Sequence, residues 1–259
     1  MKQANLTLKN FAGREFTLRT YAAESGKRPV MIVVPGGSFD HLSKKESTPV
    51  ALAYYEAGFN TAIVEYNLIT DPGMIYPDAA LDVLTTVKFY RDHADEYGTF
   101  TDEIVTLGFS AGGHVTTTAN YFAVSPIYQA EYGYDKDEVL PNKTILGYPL
   151  IDIKKIGFPM PEGRDDLLPA DPKINDTALA VTRETPASFI FQALDDRIVL
   201  VENSISYLQA LREAEVPAEL HLFETGGHGF GLANYHEHGW PNDEHLASWF
   251  KLSLTWLGM

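Results

Sequence analysis

Ile104-Val105-Thr106-Leu107-Gly108-Phe109-Ser110-Ala111-Gly112 is the stretch that decides the fold. An apolar, β-branched run leads straight into a G-x-S-x-G pattern, and the residues beyond it can wind into a helix. Strand, sharp turn and helix in that order hold one serine in an exposed, reactive pose. The two glycines remove side chains that would collide in so tight a turn. Ser110 Oγ would then stand at the carboxyl end of a strand, beside the positive N-terminus of the following helix.

The rest of the chain supplies a matching frame. Alternation in residues 5–9 and 15–21, around Asn10-Phe11-Ala12-Gly13, predicts an antiparallel hairpin. Pro29-Val30-Met31-Ile32-Val33-Val34 is continuously apolar, as suits a parallel strand buried on both faces. Similar runs occupy residues 61–64, 144–148 and 188–193, and a more alternating one residues 218–223. Helical spacing spans 49–57, stopped at Gly58, then 78–93 with Asp78 placed to cap it. A further helix over 204–214 carries Ile205, Leu208 and Leu211 on one stripe. This alternation predicts an α/β fold: a doubly wound, mostly parallel sheet with right-handed crossovers, in a single domain over 1–259.

Two excursions interrupt the pattern. Residues 125–141 are polar, acidic and tyrosine-rich. Residues 149–186 carry prolines at 149, 159, 161, 169, 172 and 186, and are expected to form a small lid.

Composition narrows the chemistry. A net charge of −15 disfavours nucleic-acid and anionic-membrane partners, both of which need a basic surface. With no cysteine, disulfides, thiolate metal sites and a cysteine nucleophile are ruled out. The first residues carry no continuous apolar segment, and no stretch approaches the roughly 20 apolar residues of a membrane span. A cytoplasmic protein is the expectation, with a homodimer the commonest oligomeric prior.

A serine hydroxyl needs a base, and the base an acid that holds its tautomer. Asp195-Asp196 follows the run at 188–193, and Gly227-His228-Gly229 follows the run at 218–223. Serine, acid and histidine thus come in that order, with acid and histidine at the carboxyl ends of successive strands, where open α/β sheets bind ligands. Either aspartate could serve. The oxyanion formed in acyl transfer needs amide donors, expected from Ala111 and from Gly37 or Ser38 in the loop after the early strand.

The set Val34-Pro35-Gly36-Gly37, Tyr76-Pro77-Asp78, Gly108-Phe109-Ser110-Ala111-Gly112-Gly113-His114, Val201-Glu202-Asn203-Ser204 and Gly227-His228-Gly229-Phe230 resembles a known family. It is similar to the acetyl-esterase and feruloyl-esterase-like branch of the α/β hydrolases, related to the prolyl oligopeptidase catalytic domain. The resemblance runs from about residue 28 to the end of the chain. It implies an α/β-hydrolase sheet and a serine carboxylesterase with no cofactor, acting on short acyl esters such as acetylated sugars, aryl esters or hydroxycinnamoyl esters. In the family the acid stands in Asp-x-x-Val-Pro, which favours Asp196 over Asp195, with Leu200 replacing the proline. Ser38 stands where many relatives carry a third glycine.

Phe39, Tyr66, Tyr148, Met160 and Phe230 are candidates for an apolar substrate pocket. His114, one helical turn beyond Ser110, is expected to make a structural hydrogen bond. His236, Glu237, His238 and His245 lack the H-E-x-x-H spacing of a metal site and are taken as polar loop residues. The competing readings are a serine peptidase or acylaminoacyl-type amidase, and a non-catalytic ligand-binding protein on the same fold.

Overall fold

A computed structural model describes residues 1–71, 75–158, 169–234 and 243–259. Eight strands form one sheet in the order β1-β2-β4-β3-β5-β6-β7-β8. β1 (Lys2–Lys9) and β2 (Glu15–Ala22) make the expected antiparallel hairpin, and β2 also runs antiparallel to β4 (Asn60–Glu65). β3 (Arg28–Val34), β5 (Thr99–Phe109), β6 (Lys143–Gly147), β7 (Ala187–Ala193) and β8 (Ala218–Phe223) continue the sheet in parallel.

The continuous apolar runs serve two cores at once, because successive strand residues point to opposite faces. Val30, Ile32 and Val34 of β3 face α2 (Asp78–Asp92) and α4 (Ser110–Val124). Met31 and Val33 face α1 (Thr48–Glu56) on the other side. β5 begins five residues earlier than its apolar run, since residues 100–103 are exposed and 101–103 are polar although they continue the strand.

Asp78 does not cap α2. Pro77 occupies the cap, and the Asp78 carboxylate instead takes Arg14 Nη1 at 2.9 Å and Asn10 Nδ2 at 3.0 Å. A short helix, α3 (Ala94–Tyr97), precedes β5, and the first polar excursion is helical, with α5 (Pro126–Tyr132) and α6 (Lys136–Val139) following α4. Tyr128 stacks on Phe122 at 3.8 Å and anchors α5 to α4.

The second excursion contains α7 (Pro172–Asn175) and a 3-10 turn over Thr177–Ala180. Its ends return to the sheet through Ile151, Ile153 and Leu150, beside α8 (Glu202–Glu213). The final helix, α9 (Glu244–Leu257), lies outside the helices drawn from periodicity above, although Leu246, Trp249 and Ser253 recur at helical spacing. Trp249 is fully buried and stacks on Phe191 of β7 at 4.1 Å. No described helix is long and apolar enough to cross a membrane.

Candidate active site

Ser110 follows β5 as the first residue of α4, with φ +51°, the left-handed conformation of a strained strand-to-helix turn. A non-glycine residue held there costs about 1–3 kcal/mol. Its neighbours leave no room for relaxation. A Cβ on Gly112 would lie 2.2 Å from the carbonyl oxygen of Val34, and one on Gly108 would lie 2.4 Å from Thr116 Oγ1. The G-x-S-x-G glycines are therefore required by close approach of β3 and of α4 itself.

Ser110 Oγ lies 2.8 Å from His228 Nε2, and His228 Nδ1 lies 2.7 Å from Asp196 Oδ2. A carboxylate facing Nδ1 keeps the proton there and leaves the Nε2 lone pair toward the serine. Asp196 is buried, and its second oxygen accepts the amides of Ile198 at 2.9 Å and Val199 at 3.0 Å. Asp195, the other candidate, points elsewhere. It is exposed and accepts the amide of Gly227 at 2.8 Å, so it ties down the loop that carries the histidine.

Behind the acid stands Gln192, which the sequence reading did not single out. Its amide donates to Asp196 Oδ2 at 3.2 Å and to the Val199 carbonyl at 2.6 Å, while its Oε1 accepts Ser204 Oγ at 2.6 Å. An amide side chain inside the apolar run 189–193 of β7 was the available signal. Asn203 accepts the amides of Ile151 and Asp152, both at 2.9 Å, and so binds the start of α8 to the second excursion.

The loop after β3 turns through left-handed backbone. Gly37, Ser38 and Phe39 all have positive φ, at 129°, 54° and 65°. The Gly36 amide is engaged by Glu46 Oε2 at 2.9 Å. Among the described residues, no acceptor takes the amides of Gly37 or Ser38. Ala111 lies in the first turn of α4, where amides lack an intrahelical partner.

Residues 18–156 match the family described as BD-FAE. Among solved structures, a carboxylesterase from Lactobacillus plantarum is 31% identical, with a TM-score of 0.92 over 100% of this chain and 97% of that one. The chain belongs to the BD-FAE family of α/β-hydrolase esterases. An endo-1,4-beta-xylanase B from Butyrivibrio fibrisolvens is 30% identical over 86% of this chain, and an acetylxylan esterase from Xylanibacter ruminicola is 29% identical over 89%. This chain spans only 34% and 47% of those two proteins.

In this BD-FAE member the expected pocket residues occupy different depths. Phe39 is half-buried and packs against Leu150, Ile153 and Val199. Tyr66 is buried, and its hydroxyl donates to the Pro35 carbonyl at 3.0 Å, under the loop after β3. Burial holds that phenol well above its usual range. Tyr148 is also buried, with its ring centroid 5.1 Å from that of the His228 imidazole and 4.7 Å from that of Phe230, both in edge-on contact. Phe39 alone of these four keeps partial exposure. Met160 lies outside the described residues.

His114 makes the expected structural bond, with Nδ1 2.6 Å from the Tyr76 hydroxyl. Burial pushes its imidazole down to about 4, so it is neutral near pH 7. His236, Glu237 and His238 lie outside the described residues, and His245 packs edge-on against Phe223 at 5.3 Å. Among the described residues, no three metal-ligating side chains converge.

Proposed function

We propose that this chain is a serine carboxylesterase that removes short acyl groups, acetyl above all, from small esters. The observation that carries the reading is the aligned set Ser110 Oγ, His228 Nε2, His228 Nδ1 and Asp196 Oδ2, with successive contacts of 2.8 and 2.7 Å. Ser110 Oγ attacks the ester carbonyl as His228 Nε2 takes its proton. Asp196 orients the ring and stabilises the imidazolium that forms. The carbonyl oxygen gathers negative charge and is held by the amides of Ala111 and of Gly37 or Ser38. The C–O bond to the alcohol then breaks, and His228 hands its proton to the departing oxygen. Water, deprotonated by the same nitrogen, attacks the acyl-serine and releases the acid.

Two features favour a short acyl group on a sugar or aryl alcohol. The small apolar cluster of Leu150, Ile153 and Val199, with the partly exposed Phe39 packed on it, sits beside Ser110, whose carbonyl accepts the Leu150 amide at 3.0 Å. The relatives include an acetylxylan esterase and a xylanase, which supports acetylated carbohydrate as the natural class. The test is a series of p-nitrophenyl esters of increasing acyl length, followed by acetylated xylo-oligosaccharides. Acetate should be turned over faster than the longer chains, and Ser110→Ala should abolish turnover. Faster cleavage of peptide amides than of every ester would overturn the substrate class.

A further inference from the structure

One buried carboxylate joins two loops that carry different parts of the proposed reaction. Glu46 closes a 3-10 turn over Lys44–Glu46 and is only 2% exposed. Its Oε2 accepts the amide of Gly36 at 2.9 Å, immediately before the expected oxyanion donors. Its Oε1 accepts the Tyr148 hydroxyl at 2.8 Å. The same hydroxyl oxygen accepts the amide of Gly231 at 3.0 Å, three residues beyond His228. The Gly231 carbonyl in turn accepts Trp249 Nε1 at 2.9 Å. The result is an unbroken path from the loop after β3, through Glu46 and Tyr148, to the histidine loop and the core.

The Gly36 peptide has little freedom. A Cβ there would lie 2.7 Å from Glu46 Oε2 and 2.8 Å from Ser110 Cβ, so this residue is wedged between carboxylate and nucleophile. The three residues after it are held at positive φ, a conformation that persists only where the surroundings enforce it. Hydrogen bonds to a carboxylate are roughly twice as strong as neutral ones, which suits that task. On the other loop, Tyr148 contributes both its hydroxyl and the ring edge that backs His228.

We propose that Glu46 is a positioning residue that sets the oxyanion donors and the His228 base in one common register. The proposal rests on the serine-esterase reading above. The chemistry calls for a carboxylate. Glu46 faces two donors, the Gly36 N–H and the Tyr148 O–H, and supplies an acceptor to each. Glutamine offers a single acceptor oxygen, so its NH₂ would face either the Gly36 N–H or the Tyr148 hydroxyl, which would then have to turn its proton away and lose its own donation.

The experiment compares wild type, Glu46→Gln, Tyr148→Phe and the double variant on p-nitrophenyl acetate, well below each unfolding midpoint. A trifluoromethyl ketone, which forms an anionic adduct with an active serine, reports on the oxyanion site together with the Ser110–His228 pair, without the turnover steps that follow. Glu46→Gln should lower kcat by about 10- to 100-fold with KM within about threefold, and weaken the ketone by a similar factor. Tyr148→Phe keeps the ring and removes only the hydroxyl. It should lower kcat by about 3- to 10-fold, and the double variant should lose less than the product of the two.

A kcat within about threefold of wild type in folded Glu46→Gln, whatever its midpoint, would overturn the proposal. Should Glu46→Gln fail to fold, an unchanged kcat in Tyr148→Phe would do the same. Failure of the underlying reading looks different: wild type would be inactive on the ester, or its activity would survive Ser110→Ala.

Discussion

Two buried aspartates, in two regions of the molecule, carry opposite lessons. Asp196 follows β7 and accepts His228 Nδ1, two backbone amides and the Gln192 side chain. Asp82 sits in α2, where the hairpin turn and the loop after β4 converge. It accepts Asn10 Nδ2 at 2.9 Å, the Asn67 amide at 2.8 Å and Asn67 Nδ2 at 2.9 Å. Both carboxylates are well supplied with donors. They differ in their partners: Asp196 faces an imidazole that becomes a cation during the proposed reaction, whereas Asp82 is bonded only by neutral amides and lies near the Asp78 carboxylate. Burial therefore pushes the Asp82 carboxyl up to about 7, against the pull of its three hydrogen bonds. A buried carboxylate performs chemistry where a partner's charge changes, and fastens secondary structure where none does.

Replacing the acid at the reactive end should have the largest effect. Asp196→Asn keeps the size of the side chain but removes the charge and the tautomer control, and kcat should fall by about 10³- to 10⁴-fold on p-nitrophenyl acetate. A loss below tenfold would mean that His228 does not depend on this carboxylate.

At the structural end the effect is on stability and its pH dependence. With the folded Asp82 pKa raised from 3.8 to about 7, the native state holds a proton that the unfolded chain releases. Stability contributed by this group is present below pH 4 and lost as pH rises toward 7. Against Asp82→Asn, urea unfolding should show wild type losing on the order of 4 kcal/mol across that window. A difference that stays flat with pH would show the carboxyl to be ionised throughout.

The smallest effect is expected from Asp195→Ala, which removes only the tether to the Gly227 amide. Its kcat should fall by about tenfold or less, since one surface hydrogen bond is worth about 1 kcal/mol. If Asp195→Ala were as damaging as Asp196→Asn, the roles of the neighbouring aspartates would need to be exchanged.

The sequence made the reactive end unusually legible, because its parts are local. The run at 104–107, the turn at Ser110 and the loop at His228 each announce themselves within a few residues. The order of acid and histidine then follows from the order of β7 and β8. What stayed hidden depends on contacts between distant segments. Nothing in Ser43-Lys44-Lys45-Glu46-Ser47 distinguishes Glu46 from a solvated charge, since its partner Tyr148 lies 102 residues away. Tyr148 and Tyr66 read as pocket aromatics for the same reason: side-chain type was visible, but depth was not. Asp78 resembled a helix cap until Arg14 and Asn10, from the hairpin, were seen to claim it. Spacing alone leaves Asp195 and Asp196 open, the family pattern favours Asp196, and the diverging side chains give it the imidazole.

The central claim is that Ser110 is a nucleophile activated by His228. Incubation of the folded protein with a fluorophosphonate, followed by mass spectrometry of its peptides, tests it most directly. The account predicts one adduct, on Ser110, that disappears in Ser110→Ala and slows sharply in a His228→Ala variant. An unlabelled Ser110 in folded protein, or an adduct on another residue, would contradict it.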